Sequence, residues 1–417
     1  MELRELSTKI QIKLHQFSER FCSGFSRPDR KFLYQMLFGL LKGGQVQLNS
    51  IARHLQDGLS LKKSTERLGR HLGVAGMWRR VSESTLETQR YYLRQCKYMI
   101  IDLSDIQKRY AEQMSGIGLV WDGSEKKKGP GYWLCNVTGV DESGSTIVPA
   151  YSELYSLVKE SSSENRKILD AIARVSNVVG KDKIWVDDRG GDRCSIMEPL
   201  LQDNQQFIIR QVGNRDLIYQ DERLPLKEIS RKVKLGESYT VTKTKKNKKV
   251  QETYDCGAVK VELPGSKKAL WLVVLKERKK GYCWLLCHLN CTQKKAAIKT
   301  AFVGYGHRWK IEEIHRQIKS DYDLEGICLQ RYEALKSMNA LLWAAVSFLY
   351  TRLENLCLDI IFHPELALVN RKKLSDMLRF IFYKLAFAVK KLLALSRFYD
   401  MTTFSSLMKK QLCLALK

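Results

Sequence analysis

The chain has 417 residues, with 71 Lys and Arg against 45 Asp and Glu, a net charge of +26. Hydrophobic residues make up 44% and charged ones 28%, the balance of a folded globular protein rather than a disordered or fibrous one. The charge excess sets aside an ordinary small-metabolite enzyme and points to a polyanionic partner, of which nucleic acid is the commonest.

Charges interrupt the N-terminal stretch MELRELSTKIQIKLHQF, so no signal peptide is read from it. Residues 1–95 read as all-helical. From Asp29 to Leu41, the positions Phe32, Leu33, Met36, Leu37, Leu40 and Leu41 repeat with a helical period, and Gly43-Gly44 stops the helix. Leu48, Ile51, Ala52 and Leu55 form a second stripe, and Leu68 and Leu72 a third after LSLKKSTER. With Arg53, Lys62, Lys63, Arg67 and Arg70 on or near them, these two short helices suit either a helix-turn-helix or a bundle with a solvated basic face.

From residue 97 the texture becomes alternating. KYMIIDLSDI, GYWLCNVTGVD and STIVPAYSELY read as strands, Ser163–Val179 as a helix, KIWVDD as a strand, Cys194–Leu201 as a helix and QFIIRQV as a strand. Three strands followed by alternating helix and strand is the order of a ribonuclease-H-like α/β layer. Residues 215–292 are strand-rich and basic and read as a β insertion. Within them GYCWLLCHLN reads as a buried strand, since Cys283, Cys287, His288 and Cys291 match no standard zinc spacing. Lys294–Glu325 reads mainly as helix, and residues 333–396 as two or three more helices, the last with a face of Lys384, Lys390 and Lys391. The apolar run Ala340–Tyr350 is too short for a membrane span of roughly 20 residues and reads as a buried helix. The 11 cysteines are scattered, which suits reduced thiols in a cytoplasm. Trp121, Trp133, Trp271 and Trp284 read as core.

The chemistry gathers around GYGHRWKIEEIHRQIKSDY. On a helix, Arg308, Glu312, Arg316 and Lys319 share one face, while Ile311, Ile314 and Ile318 share another that can dock on a sheet. Alone, a carboxylate among cations favours a solvated, salt-bridged face. Two further acids change that reading. Asp102 interrupts the apolar strand MIIDLSD, and Asp187-Asp188 close KIWV. Two strand-borne Asp and one helix-borne Glu can hold hard cations such as Mg²⁺. Two such ions suit an in-line phosphoryl displacement, with Arg and Lys gripping the nucleic-acid backbone.

Tyr305, Arg308, Glu312 and Lys319 have the spacing Tyr-x2-Arg-x3-Glu-x6-Lys. This resembles the Tyr-Arg-Glu-Lys signature of the insertion-sequence-four group of bacterial DDE transposases. IDLS resembles that group's strand bearing the first Asp, and WVDDRGGD its Asp-Arg-Gly segment bearing the second; the likeness covers residues 45–350. It departs at Gly191, where many members carry a large residue. The resemblance implies that Asp102, Asp188 and Glu312 are the catalytic metal ligands, with Asp105, Asp187 and Glu313 as decoys. It implies that Tyr305, Arg308 and Lys319 contact transposon-end DNA.

The expected fold is α/β: a ribonuclease-H-like catalytic core interrupted by a β-rich insertion, with helical N- and C-terminal regions. Residues 1–95 would be a helical DNA-binding region, 96–214 the first part of the core, 215–292 the insertion, 293–332 the second part with the Glu-bearing helix, and 333–417 a helical C-terminal region. The expected activity is cut-and-paste DNA transposition with Mg²⁺, Mn²⁺ being a possible substitute. Its partners would be double-stranded DNA, as terminal inverted repeats and as target, and a second copy of the chain on DNA. The resemblance also implies a hairpin intermediate at the excised end, a bacterial cytoplasmic setting at the nucleoid, and no membrane. The alternatives are an inactive, domesticated DNA-binding protein and a nuclease with the same core that does not join ends; inverted repeats flanking the gene would favour transposition.

Overall fold

A computed structural model of the chain describes residues 2–55, 57–122, 127–245, 248–277, 281–366 and 381–396. Five helices come first: α1 (Leu3–Phe21), α2 (Arg27–Gly43), α3 (Leu48–Arg53), α4 (Leu61–Leu72) and α5 (Met77–Gln95). The Ser26 hydroxyl accepts from the Asp29 N–H to open α2, and Gly44, at φ 65°, closes it in the left-handed region. Ser60 caps α4 in the same way through the Lys63 N–H. That cap places LKKSTER inside α4, where the stripe of Leu68 and Leu72 had suggested a later start.

The strands and helices that follow are β1 (Tyr98–Gln107), β2 (Gly118–Asp122), β3 (Lys127–Val140), β4 (Ile147–Tyr155), α6 (Glu164–Val179), β5 (Ile184–Asp187), α7 (Cys194–Gln202) and β6 (Gln206–Arg210). Next come β7 (Asp216–Tyr219), β8 (Glu222–Pro225), α8 (Leu226–Lys232), β9 (Glu237–Lys245), β10 (Lys248–Val261), β11 (Leu270–Glu277) and β12 (Gly281–His288). The chain continues through α9 (Lys294–Gly306), α10 (Trp309–Arg316), α11 (Tyr332–Arg352), α12 (Glu354–Ile361) and α13 (Ile381–Ala394). The expected C-terminal helical region also includes residues 367–380 and 397–417, which lie outside the described residues.

Ten strands form one mixed sheet in the order β2-β3-β1-β5-β6-β12-β11-β10-β9, with β4 also beside β3. β3 runs antiparallel to β1 and β4, and β5 runs parallel to both β1 and β6. β12 then pairs antiparallel with β6, so β9–β12 widen the central sheet instead of standing apart from it. Only the hairpin β7–β8 forms a sheet of its own among the described strands. Side chains alternate across the sheet. Met99, Ile101, Trp185 and Phe207 share a core with α6 and α7, while Tyr98, Ile100, Val186 and Ile208 share one with α9.

The helices at the two ends of the chain are one body. α1, α2, α11 and α13 contribute to a common core, and Ser7 Oγ donates to the Leu392 carbonyl at 2.8 Å. α11 lies against β4 and α5 and is buried over almost its whole length, as its apolar run requires. No helix among the described residues is long and apolar enough to cross a membrane.

A buried ion network ties this body to the sheet. Lys336 Nζ on α11 is 3.3 Å from Glu153 Oε1 and 2.9 Å from Glu160 Oε1, and Lys167 Nζ on α6 is 2.8 Å from Glu153 Oε1. Tyr151 donates to the second Glu153 oxygen at 2.8 Å. Charges of this kind resist loss of a single partner, because the survivor is left buried and uncompensated. Lys336→Met should therefore cost about 3–5 kcal/mol in urea denaturation. A loss below about 1 kcal/mol would mean that water screens the network.

Candidate active site

Strand register brings two acids together. Ile100 pairs with Val186 across the parallel β1–β5 ladder, and two residues further along each chain lie Asp102 and Asp188. An even step keeps both on the face of Ile100 and Val186, the face that α9 covers. Asp187 takes the other face, where its Oδ1 accepts from the Asp188 N–H at 2.7 Å. A Cβ built on Gly191 would sit 2.5 Å from Asp187 Oδ2, so this loop has no room for a large residue while Asp187 keeps its place.

The third acid comes from the helices above. Gly304 lets α9 lie directly on the sheet: a Cβ there would be 2.6 Å from the Tyr98 ring and 2.8 Å from Ile208. Tyr305 thereby reaches the site, and its hydroxyl donates to Asp188 Oδ1 at 3.0 Å while accepting from Arg210 Nη1 at 3.0 Å. Residues 294–325 are mainly helical, as the sequence pattern suggested, but in several pieces rather than one helix. Gly304 and Gly306 weaken α9, its last turn tightens with Arg308 N–H bonding to the Tyr305 carbonyl, and α10 starts at Trp309. Arg308 Nη1 donates to Glu312 Oε1 at 2.7 Å, and its Nε lies 3.6 Å from Asp188 Oδ2. Arg308 thus joins Asp188 to Glu312.

After α10 the chain makes a π-helical turn, Gln317–Asp321. The buried Gln317 amide holds it, donating to the Phe382 carbonyl at 3.1 Å and accepting from the Tyr350 hydroxyl at 3.0 Å. Wide turns of this kind recur at functional sites. Lys319 lies within it and pairs with Asp105 at 3.4 Å and Glu325 at 3.6 Å, not with Glu312. The three isoleucines also divide. Ile311 enters the sheet core, whereas Ile314 and Ile318 enter the core of the helical body, because α10 crosses the junction between the two.

Electrostatics couple the acids. Burial pushes the Asp102 carboxyl up to about 7; Arg308 opposes this, and the charges of Glu312 and Asp188 add to it. Burial, and then the charge of Asp102, hold Asp187 well above the usual carboxylate range. His315, on the buried side of α10, is 2.9 Å from the Asn136 amide nitrogen that donates to Nε2, while Nδ1 faces Asp102 Oδ2 at 3.8 Å. Burial, followed by the charges of Lys319 and Arg308, lowers this imidazole to about 3, so the ring is neutral. Asn136 is the strand partner of Asp102 in β3.

Three carboxylates supply hard oxygen donors, the type that Mg²⁺ takes. In donor chemistry Asp102, Asp188 and Glu312 fit such an ion. Among the described residues no group of three His, Cys, Asp or Glu side chains closes into a ligand set, and Arg308 stands between two of these acids.

Asp187 stays beside Asp102 and Asp188 on the other face of the sheet, whereas Asp105 and Glu313 make other contacts. Asp105 pairs with Lys319 and accepts from Gln107, and Glu313 faces Tyr350 and Tyr383 in the helical body. Arg53, Lys62, Lys63 and Arg70 are exposed on α3 and α4, while Arg67 is held by Asp57 at 2.8 Å. Trp271 is buried, as expected of core, but Trp121 is 49% exposed on the edge strand β2. Sequence reading passed over Arg210, Asn136 and His315. Arg210 ends the strand next to β5, a position that the strand order would have flagged. Neither Asn136 nor His315 belongs to a spacing pattern, and only the tertiary fold places them at Asp102.

No protein-family model and no curated protein matches the chain.

The raised Asp102 carboxyl makes stability depend on pH. A group held above its unfolded value contributes stability that is complete below that value, 3.8, and is lost as pH rises through about 7. The rise corresponds to roughly 4 kcal/mol, cut to about 2–3 because 25% of the side chain stays exposed. In chelator-treated buffer, Asp102→Asn should therefore gain about 2–3 kcal/mol over the wild type between pH 4 and pH 8. Urea denaturation at both pH values measures it, and parallel pH profiles for the two proteins would contradict the assignment.

Proposed function

We propose that the chain is a metal-dependent DNA transposase of the insertion-sequence-four group, acting by cut and paste on the ends of its own element. The observation that carries this reading is the arrangement of Asp102, Asp188 and Glu312. All three belong to the matched motifs, and one arginine of the same signature, Arg308, links two of them. The order β4-β3-β1-β5-β6, with β3 antiparallel and β5 and β6 parallel to β1, supports a ribonuclease-H-like core for residues 96–214 and 293–332. The net charge of +26 supports a DNA partner.

Asp102, Asp188 and Glu312 would hold Mg²⁺, or Mn²⁺ in its place. Such an ion supplies an activated water for end cleavage and charge stabilisation for the leaving oxygen. The protein's own groups do the rest. Tyr305 and Arg210 orient Asp188 through its Oδ1. The neutral His315 ring, set by Asn136, covers the inner side of Asp102 and limits water there. Lys319 and the exposed cations of α3 and α4 offer charges to phosphates of the terminal inverted repeats. After cleavage, the freed 3′-hydroxyl would attack target DNA at the same acids. Two ends must be joined to one target, so the working form would be a dimer on DNA.

Purified protein mixed with a labelled duplex carrying the element's end, with and without Mg²⁺, tests the reading. Glu312→Ala should abolish cutting while end binding survives; normal cutting by that variant would remove Glu312 from the site. Lys319→Ala should weaken end binding and lower the salt slope by about 1, as loss of one phosphate contact does. An unchanged slope in fluorescence anisotropy would leave Lys319 as a partner of Asp105 and Glu325 alone.

A further inference from the structure

Arg308 is not set out to meet a phosphate. It is 6% exposed, although it carries a full charge in a strongly cationic protein. Its Nη1 is bonded to Glu312 at 2.7 Å, its Nε faces Asp188 at 3.6 Å without a hydrogen-bond partner, and the adjacent Trp309 ring centre is 4.5 Å from the guanidinium carbon. Trp309 itself is 61% exposed, so the guanidinium lies under an indole at the outer rim of the site. Asp188 Oδ1, meanwhile, is taken by Tyr305 and Arg210.

This arrangement solves a charge problem. Asp188, Glu312 and Asp102 repel one another, and a guanidinium between two of them offsets that repulsion. A divalent cation would offset it too, but not alongside Arg308. Like charges within about 4 Å in a partly desolvated site repel strongly, and both cations use oxygens of the same two carboxylates.

Resting on the metal-site reading above, we infer that Arg308 is a built-in counter-ion that competes with divalent metal for Asp188 and Glu312. The DNA-free protein then holds its acids in a locked form. Metal enters as the guanidinium leaves. The short joint between α9 and α10 carries Arg308 between Gly306 and Trp309, apart from β1, which holds Asp102, and from the turn after β5, which holds Asp188, so the guanidinium can leave while both acids keep their backbone positions. An arginine counted from its motif as a DNA contact therefore also sets when the acids can take up metal.

The test is a Mn²⁺ titration of the full chain without DNA, following the free-ion signal by electron paramagnetic resonance. Arg308→Gln removes the charge and should bind Mn²⁺ at least about tenfold more tightly than the wild type, by the affinity that tenfold in Kd represents, about 1.4 kcal/mol. Arg308→Lys retains a charge and should stay near the wild type. Adding Glu312→Gln to Arg308→Gln should abolish the gain. Circular dichroism shows whether each variant is folded, and Arg308→Met, which also removes the charge, carries the comparison if Arg308→Gln is not. Should Arg308→Gln bind no more tightly while Glu312→Gln alone weakens binding, the metal site stands and the competition is refuted. An equal gain in Arg308→Lys also refutes it, because charge would not be the cause. If Glu312→Gln changes nothing in any background, the metal-site reading falls, and this inference with it.

Discussion

A buried carboxylate, Asp102, with two more acids close by, sets the constraint that the surrounding structure answers. Asp102 stands in the middle of an apolar strand, between residues that bury against helices on both faces. Burial and two neighbouring negative charges raise its carboxyl to about 7. The surroundings answer with dipoles and cations placed by different elements. His315 comes from α10, Asn136 from the adjacent strand, Arg210 from the end of β6, and Tyr305 and Arg308 from the joint of α9 and α10. No one element could supply them, so the site exists only when the sheet and the helices are assembled. That dependence is what makes a cluster of unfavourable charges compatible with a stable protein.

The same logic operates at a second place for a different purpose. Glu153 and Glu160 are matched by Lys167 and Lys336, two charges against two, with tyrosine hydroxyls taking further lone pairs. Here the compensation is complete within the protein, and the network fixes how α11 and the helical body sit on β4 and α6. At the acidic site the compensation is partial, since two arginines, Arg308 and Arg210, face three acids and neither pairs with Asp102. A saturated network holds structure, whereas an under-compensated one keeps affinity for further cations. α10 connects the two regions. Ile311 anchors it in the sheet core, and Ile314 and Ile318 anchor it in the helical body, so Glu312 is held from both sides.

Much of this was legible in the residues. The strands around Asp102 and Asp188 declare themselves by apolar runs; the choice of Asp188 comes from the resemblance, through the Arg-Gly pair after it, and period-two alternation adds that Asp187 points to the other side. Helix α6, with its Ser163 cap and Gly180 after its end, is written in its sequence. Other features left no local signal. β2 is five residues on an edge, with exposed Leu119 and Trp121 alternating with buried Val120, too short to stand out from the loop around it. The widening of the central sheet by β9–β12 depends on β12 pairing with β6, a contact between residues 75 to 81 positions apart that no pattern announces. The partition of the three isoleucines between two cores is likewise tertiary, because one apolar stripe looks the same whatever it touches.

The signature spacing shows how far a helical argument reaches. Arg308 and Glu312 are one turn apart, and they meet as the periodicity requires. Glu312 and Lys319 are seven apart, which in a regular helix returns to within about 20 degrees of the same direction. The π-helical turn that begins at Gln317 opens the spiral, reduces the rotation per residue and carries Lys319 toward the end of β1, where Asp105 meets it. What forces that turn is a polar side chain in an apolar place: the Gln317 amide must find partners inside the helical body, and it finds them at Phe382 and Tyr350. A motif counted along the chain therefore does not say which of its residues touch. Arg308 and Glu312 meet beside Asp188, while Lys319 stands near the end of β1, paired with Asp105 and Glu325.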